Sequence, residues 1–245
     1  MKGTFLSAMR GLLIMMVFFT RIPFNKMIDF DEDDYKMGVM LFPVLGLLIG
    51  VLLAGVAWIF SRTSSSVSAL VVTGFYIWLT GGIHLDGLAD TMDGLYSGKE
   101  KDQIFQIMKD SRIGAFGVIG LIFIILAYFI LIQETSLGAL FLMAIAGKTS
   151  IIAAASVSDY PKEKGIGDQF VKICGENHRN FAFLFGIITA IVINIKMIVP
   201  MVGTWIIVGY IIQNIKKKIG GMTGDTLGFV HEIGQIVFLL IVSLL

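Results

Sequence analysis

The chain has 245 residues, of which 56% are hydrophobic and 15% charged, and its formal net charge is +1. A soluble domain usually carries about 25% charged residues, so this composition predicts a protein whose apolar surface is covered by lipid. The near-neutral charge argues against a nucleic-acid partner. A single cysteine, Cys174, excludes an intramolecular disulfide and a multi-cysteine metal site. We therefore expect an all-α, polytopic membrane helical bundle that forms a single domain over residues 1–245.

The first apolar segment, residues 4–20, contains Arg10 and is short for a crossing, because a bilayer core of about 30 Å requires about 20 apolar residues. It predicts a re-entrant or interfacial N-terminal helix, with a full span as the less favoured alternative. The later apolar segments are 38–60, 67–83, 113–132, 137–157, 181–199, 201–215 and 227–245. The sequence thus predicts about seven transmembrane helices.

Basic residues alternate between the connections of these segments. Fourteen lysines and arginines fall in segments 21–37, 97–112, 158–180 and 216–221. The alternate turns hold only Arg62 and Lys196. This alternation requires segment 201–215 to cross, and the positive-inside rule places the basic set in the cytoplasm. We expect a multi-pass protein of the cell (inner) membrane whose active site faces the cytoplasm.

The segment GGIHLDGLADTMDGLYSG, residues 81–98, has the most informative pattern in the chain. Asp86, Asp90 and Asp93 fall at i, i+4 and i+7, so on a helix they form one stripe. No cation lies three or four residues away to offset their repulsion. Mg²⁺ favours carboxylates combined with phosphate oxygens, so the stripe predicts a metal site; a solvated first turn of an interfacial helix is the alternative. His84 is a candidate proton acceptor, a partner of Asp86 or an ordinary interfacial residue.

Cations follow the stripe. Lys109 and Arg112 suit phosphate oxygens, although anchoring at the membrane surface explains them equally well. Asp110 and Ser111 are candidate caps for the helix that opens near Arg112. Lys148 lies inside an apolar span and requires a partner or a phosphate. We interpret the glycines at 46, 50, 114, 117 and 120 as sites of close helix packing.

The segment GGMTGDTLGFVHEIGQ, residues 220–235, precedes and enters the last span. Its glycines permit close backbone approach around Thr223 and Asp225. Asp225 and Glu232 are seven residues apart and share a helical face. Glu232 lies about two turns into the span, where an ionisable group is expensive, so its compensation must come from another segment. We predict that this motif and the aspartate stripe form one site.

Several blocks together carry a resemblance to a known family. They are FFTRIPF (18–24), GGIHLDGLADTMDGL (81–95), MKDSRIGAFG (108–117), KEKGIG (162–167) and GGMTGDTLGFVHEIGQIVFLL (220–240). The chain resembles the cobalamin synthases, or adenosylcobinamide-GDP ribazoletransferases, over essentially its whole length. The resemblance implies that α-ribazole or its 5′-phosphate is joined to adenosylcobinamide-GDP with release of GMP, and that Mg²⁺ is required.

The residues and the resemblance together give a set of expected roles. The metal ligands are Asp86, Asp90 and Asp93. Substrate or phosphate contacts are expected at Arg21, Lys109, Asp110, Arg112, Lys148 and Thr223. The proton acceptor is left open among His84, Asp93, Asp225 and Glu232. Two departures are visible: Asp90 stands where the related CDP-alcohol phosphotransferase signature has arginine, and Lys148 stands where arginine is expected in cobalamin synthases.

Two other functions remain as alternatives. One is another CDP-alcohol-like phosphotransferase of the membrane. The other is a secondary transporter, since an intramembrane glutamate and glycine-interrupted spans also occur there; the acids, however, cluster at one membrane face. The expected partners are the two substrates and the lipid bilayer, with no nucleic acid, and a homo-oligomer or an association with other vitamin B12 assembly enzymes is possible.

Overall fold

The computed structural model describes residues 2–23, 31–162, 165 and 167–245. Lys26, Lys164 and parts of the blocks at 18–24 and 162–167 lie outside this range. Within it, the regular structure consists of helices. They are α1 (Lys2–Phe19), α2 (Glu32–Met40), α3 (Phe42–Ile59), α4 (Ser65–Thr80), α5 (Ile83–Tyr96), α6 (Lys101–Ile107), α7 (Ala115–Gln133), α8 (Leu137–Ser156), α9 (Asp168–Ile173), α10 (Glu176–Ile193), a 3-10 turn (Ile195–Met197), α11 (Ile198–Ile219) and α12 (Gly224–Val242).

Five helical segments are long and apolar enough to cross a membrane: Phe42–Ile59, Ala115–Gln133, Leu137–Ser156, Ile195–Ile219 and Gly224–Val242. The pair α4 and α5 adds a sixth span if it is counted as one bent unit. The all-α membrane bundle is therefore confirmed, whereas the count of seven stays a prediction. Helix α10 is not among these spans, and it opens with the polar run Glu-Asn-His-Arg-Asn.

The N-terminal helix α1 is one of the shorter apolar helices, with an apolar stretch of Phe5–Phe19. It packs against α2 through polar contacts: the Ser7 hydroxyl donates to the Asp34 carboxylate at 2.5 Å, and Arg10 lies 3.9 Å from the same carboxylate. Such polar contacts suit a helix near the membrane surface. The interfacial placement of α1 stays a prediction.

Helix α8 forms the centre of the bundle, and most of its residues are buried. Helix α3 packs closely on it, because a Cβ at Gly46 would lie 2.9 Å from the Ala144 carbonyl oxygen. The predicted packing role of this glycine is confirmed. The span predicted at 38–60 begins later, at Phe42, because Pro43 fits only the first turn of a helix.

The chain turns sharply between α4 and α5. Gly81 and Gly82 adopt φ angles of 64° and 71°, in the left-handed region that other residues rarely adopt. The two helix axes meet at 88°, so α5 does not continue in the direction of the span predicted at 67–83 and instead packs on α12 and α7. Its buried face includes Leu85 and Leu88.

Candidate active site

The three aspartates of the predicted stripe lie on α5, a helix of 14 residues, as their spacing predicts. Asp86 is exposed, and Asp90 and Asp93 are half-buried. The stripe lies beside the first residues of α7 and α12, because Asp93 contacts Gly114 and Gly117 and the neighbouring Gly87 packs on Asp225.

Asp93 caps α7. Its carboxylate accepts hydrogen bonds from the backbone N–H groups of Gly114 and Gly117 at 2.7 and 2.9 Å. The positive end of a helix favours an anion at this position. The predicted capping of this helix by Asp110 and Ser111 is therefore wrong, because a carboxylate from α5, more than 20 residues earlier, occupies the position.

Asp110 instead pairs with Arg112, whose Nη2 lies 2.7 Å from its Oδ2. The guanidinium lowers the pKa of the Asp110 carboxyl to about 2. The Arg112 side chain is 87% exposed, so the structure places this predicted phosphate-binding pair in solvent, at the entrance to α7.

The last sequence motif meets the aspartate stripe through two glycines. A Cβ at Gly87 would lie 2.8 Å from the Asp225 carbonyl oxygen, and one at Gly228 would lie 3.1 Å from the His84 carbonyl oxygen. The start of α12 therefore rests directly on α5, and the predicted meeting of these distant segments is confirmed.

Thr223 begins α12. Its hydroxyl accepts from the Thr226 N–H at 3.3 Å, while the Thr226 hydroxyl accepts from the Thr223 N–H at 2.7 Å. The side chain is buried and also lies 3.5 Å from the Asp225 carboxylate. This expected phosphate contact is thus a helix cap that holds the position of Asp225.

Four carboxylates share one electrostatic environment. Asp86, Asp93 and Asp225 all act on Asp90 by like-charge repulsion, and Lys162 partly offsets them. Burial lowers the pKa of the Lys162 ammonium, Asp225 opposes the shift, and Lys109 adds to it. Lys162 is a site residue that no pattern in the sequence indicated, since it lies in a polar loop far from the stripe along the chain.

A cavity of about 180 Å³ opens beside these acids. His84, Asp86 and Asp225 form part of its wall, together with the aromatic side chains of Phe18, Phe19 and Phe170. Two larger grooves, of about 510 and 460 Å³, are lined among the described residues by lysines, an arginine and apolar side chains but by no carboxylate. The cavity at Asp86 and Asp225 is therefore the candidate site.

Arg21 lies at the elbow that precedes α5. Its backbone N–H donates to the Leu79 carbonyl at 2.7 Å, and a Cβ at Gly81 would lie 3.0 Å from its Nε. Arg21 and Lys109 are both exposed. These two predicted phosphate-binding cations flank the opposite ends of α5.

Glu232 is buried and binds two phenols. The Tyr76 hydroxyl donates to one carboxylate oxygen at 2.7 Å, and the Tyr128 hydroxyl donates to the other at 2.6 Å. Gln235 donates to the Tyr76 oxygen at 3.2 Å and also contacts His231. Compensation from other helices is thus confirmed, and it comes from tyrosines of α4 and α7 that no pattern in the sequence singled out.

Lys148 is fully buried in α8. Its Nζ lies 2.9 Å from the His84 Nε2, and 5.0 and 4.8 Å from the ring centres of Phe19 and Phe42. The expected partner of this lysine is therefore a histidine between two aromatic faces. Because His84 lines the cavity, Lys148 contacts a residue of the cavity wall without lining the cavity itself.

The fold and the site together define a polytopic membrane protein with a carboxylate-rich pocket at one end of its bundle. The cobalamin-5-phosphate synthase family matches residues 11–243. The chain belongs to this family.

Curated relatives are similar over nearly their whole lengths. An adenosylcobinamide-GDP ribazoletransferase of Alkaliphilus oremlandii is 39% identical over 238 residues, which cover 97% of this chain and 98% of that protein. Relatives of the same name from Acetivibrio thermocellus and Escherichia coli are each 35% identical, over 240 and 248 residues, and cover 95% and 92% of this chain and 97% and 96% of their own. No solved structure matches the chain.

Proposed function

We propose that this chain is an adenosylcobinamide-GDP ribazoletransferase that joins α-ribazole or its 5′-phosphate to adenosylcobinamide-GDP and releases GMP. The observation that carries the proposal is the contact of α12 with α5 at Gly87, which brings Asp225 to the cavity that Asp86 lines, with Asp90 close enough to interact electrostatically with both. The activity named for the curated relatives supports the choice of substrates, and their similarity extends over the segments that build this cavity.

The donor set fits Mg²⁺. Asp86 and Asp90 would provide hard oxygen ligands whose repulsion a divalent cation would relieve, whereas both oxygens of Asp93, the third predicted ligand, already accept hydrogen bonds from α7. Among the described residues, no three His, Cys, Asp or Glu side chains enclose a metal ion by themselves, so diphosphate oxygens of the substrate would complete the coordination. When bound, the ion would neutralise charge that develops on the phosphate oxygens.

Phosphoryl transfer chiefly requires positioning and charge stabilisation. In the proposed reaction the ribose hydroxyl oxygen of α-ribazole bonds to the phosphorus nearest the cobinamide, and the bond from that phosphorus to GMP breaks. We assign phosphate binding to Lys162, Lys109 and Arg21; the electrostatic interactions of Lys162 with Asp90, Asp225 and Lys109 support this choice. GMP leaves with the electron pair of the broken bond.

Asp225 is the favoured acceptor of the hydroxyl proton. It lines the cavity, and its position is held by the cap at Thr223. The other three candidates have partners: Asp93 caps α7, Glu232 accepts from two tyrosines, and the His84 Nε2 faces Lys148. Of the four proton acceptors that the sequence left open, Asp225 is therefore the one that we favour.

We further propose that the site faces the cytoplasm of the cell (inner) membrane. The segments rich in Lys and Arg connect to the end of the bundle that carries the cavity, and the positive-inside rule gives their side. Oligomerisation and association with other enzymes stay predictions.

The test is GMP release by purified protein in detergent with adenosylcobinamide-GDP, α-ribazole and Mg²⁺. Asp90→Asn should abolish turnover with folding intact, whereas Asp102→Asn, on exposed α6, should leave it unchanged. Near-normal turnover by Asp90→Asn would contradict the metal site. Absence of GMP release in detergent, combined with substrate movement in sealed vesicles, would favour the transporter alternative.

A further inference from the structure

We propose that the groove of about 510 Å³ between α8, α10 and α11 binds one anionic phospholipid, with the lipid phosphate at a cluster of cations and an acyl chain along Trp205. Among the described residues that line them, this groove and the cavity at Asp86 and Asp225 have only α8 in common. The groove is therefore a second site, and its ligand does not depend on the reaction proposed for the chain.

Cations gather at one end of the groove. Arg179 belongs to the first turn of α10, and Lys216 and Lys217 belong to the last turn of α11. Lys216 donates to the Val157 carbonyl, which leaves two of its three donors for another acceptor. Glu176 lies 3.5 Å from Arg179, but its side chain is 76% exposed and is not part of the described lining. This end of the groove therefore suits a phosphate group.

The wall of the groove next to these cations is aromatic and held in place. The Trp205 ring stacks on Phe183 with 4.3 Å between centroids, and its Nε1 donates to the Thr149 hydroxyl at 3.0 Å. It also packs so closely on α10 that a Cβ at Gly186 would lie 2.8 Å from the ring. At Gly209, by contrast, a Cβ would meet no atom within 4 Å. A fixed flat wall beside open space suits an acyl chain.

The groove lies on a surface that faces lipid. Helix α11 is part of a membrane span, most of which is not buried within the bundle. Ile206 and Tyr210 of α11 are 69% and 70% exposed, and Leu184 of α10 is 59% exposed. Exposed apolar surface of this extent indicates contact with a membrane or with another protein. Because phospholipid surrounds a spanning helix, an acyl chain can enter the groove directly from the bilayer.

The charge of the groove determines which lipid fits. A zwitterionic lipid would bring its own ammonium group to the three cations, whereas phosphatidylglycerol adds only a phosphate. Basic pockets between transmembrane helices on the cytoplasmic side are typical sites for acidic head groups, and the positive-inside rule predicts that side for segments 158–180 and 216–221. Membrane anchoring alone would explain the cations, but it does not explain the open apolar space beside them.

Trp205 provides a direct readout of the acyl chain. Changing the other two tryptophans, Trp58 and Trp78, to phenylalanine leaves Trp205 as the single tryptophan. The full chain is placed in phosphatidylcholine vesicles that contain increasing fractions of brominated phosphatidylglycerol or brominated phosphatidylcholine, since bromine quenches tryptophan fluorescence on contact. We expect half-quenching of Trp205 at a fraction of phosphatidylglycerol that is lower by about tenfold or more, because each nearby cation contributes about fivefold. Equal quenching by the two lipids would overturn the proposal.

The charge test compares two adjacent lysines. Lys217→Gln should raise the fraction of phosphatidylglycerol needed for half-quenching by about fivefold, and Arg179→Gln should do the same. Lys218→Gln is the matched control, because Lys218 belongs to the same basic run but lines the other groove. It should have a much smaller effect. Equal losses in Lys217→Gln and Lys218→Gln would indicate attraction to the membrane surface in general and would contradict a site in this groove.

The steric test fills the groove. Gly209→Leu places a side chain in the open space, so quenching by brominated phosphatidylglycerol should fall to the level seen with phosphatidylcholine. Gly74→Leu, at a glycine of α4 where a Cβ also meets no atom within 4 Å, should leave the quenching unaltered. Persistent selective quenching in Gly209→Leu would refute the proposed position of the acyl chain. Folding of each variant is checked by its thermal unfolding, and if Gly209→Leu does not fold, the comparison of the two lysines decides. If neither lipid quenches Trp205 in folded protein, and cross-linking joins two copies at this groove, the groove is an interface between chains and the proposal is wrong.

Discussion

The proposed geometry depends on Gly87, because one added carbon atom at this position would push α5 and α12 apart. In Gly87→Ala, the added Cβ would lie 2.8 Å from the Asp225 carbonyl oxygen and 2.9 Å from its Cα. Ordinary van der Waals contact begins at 3.4 Å, so α5 and α12 would have to separate by about 0.6 Å. Both opposing atoms belong to the backbone and cannot rotate away, so the helices themselves must move.

This movement has two measurable effects. Overpacking of this kind costs about 1–3 kcal/mol of stability. A displacement of about 1 Å between catalytic groups can cost about a hundredfold in rate, so about 0.6 Å should lower kcat by about tenfold or more. The change separates Asp225 from Asp86 and Asp90, which is why the loss should appear in kcat as well as in stability.

The assay is GMP release at saturating substrate, together with the midpoint of thermal unfolding in the same detergent. Gly74→Ala is the matched control, because a Cβ at Gly74 meets no atom within 4 Å. It should keep full activity and gain up to about 1 kcal/mol from helix propensity. Unaltered kcat in Gly87→Ala, measured well below its unfolding midpoint, would refute the role assigned to the contact between α5 and α12.

Three further predictions concern the bundle and its orientation. Glu232→Gln should lower stability by about 1–3 kcal/mol, since an amide cannot accept from both tyrosine hydroxyls; an unchanged unfolding midpoint would contradict the network. Burial raises the pKa of Cys174 to about 12, so at pH 8 its alkylation in folded protein should be about a thousandfold slower than for an ordinary thiol, and should accelerate as pH rises; rapid alkylation would show a different environment. In a Cys174→Ala background, an impermeant thiol reagent on intact cells should label Ser61→Cys and spare Ser97→Cys; the opposite pattern would reverse the orientation.

Hydropathy and periodicity were sufficient for the all-α membrane bundle and for the aspartate stripe, whereas the number of spans stays a prediction. Both are local properties: an apolar run of bilayer length predicts a span, and acids at i, i+4 and i+7 share a helical face whatever surrounds them. The elbow at Gly81 was not predicted, because hydropathy continues through residue 83 and does not report a change of direction.

The meeting of the last motif with the aspartate stripe was predicted, but the partners of individual side chains in distant segments were not. Asp93 caps α7 across more than 20 residues, and a capping pattern read from neighbours favoured Asp110 instead. Tyr76 and Tyr128 are separated from Glu232 by more than 100 residues, and tyrosine is common in membrane helices without any buried partner. Lys162 belongs to a polar loop whose charges resemble those of a solvated surface.

Helices α8, α12 and α7 each hold one residue of α5 in place. The positions of these three contacts explain which aspartates are available to bind a ligand. His84 is held by Lys148 of α8, Gly87 by the start of α12, and Asp93 by the first N–H groups of α7. Asp86 and Asp90 lie between these points, and no hydrogen bond within the described residues occupies either carboxylate. Rigid support on both sides of a free acid pair is the arrangement that metal and phosphate binding requires, since the ligand then meets preorganised oxygens. The buried lysine of the membrane interior thus contributes to the site through the helix that it helps to hold in place.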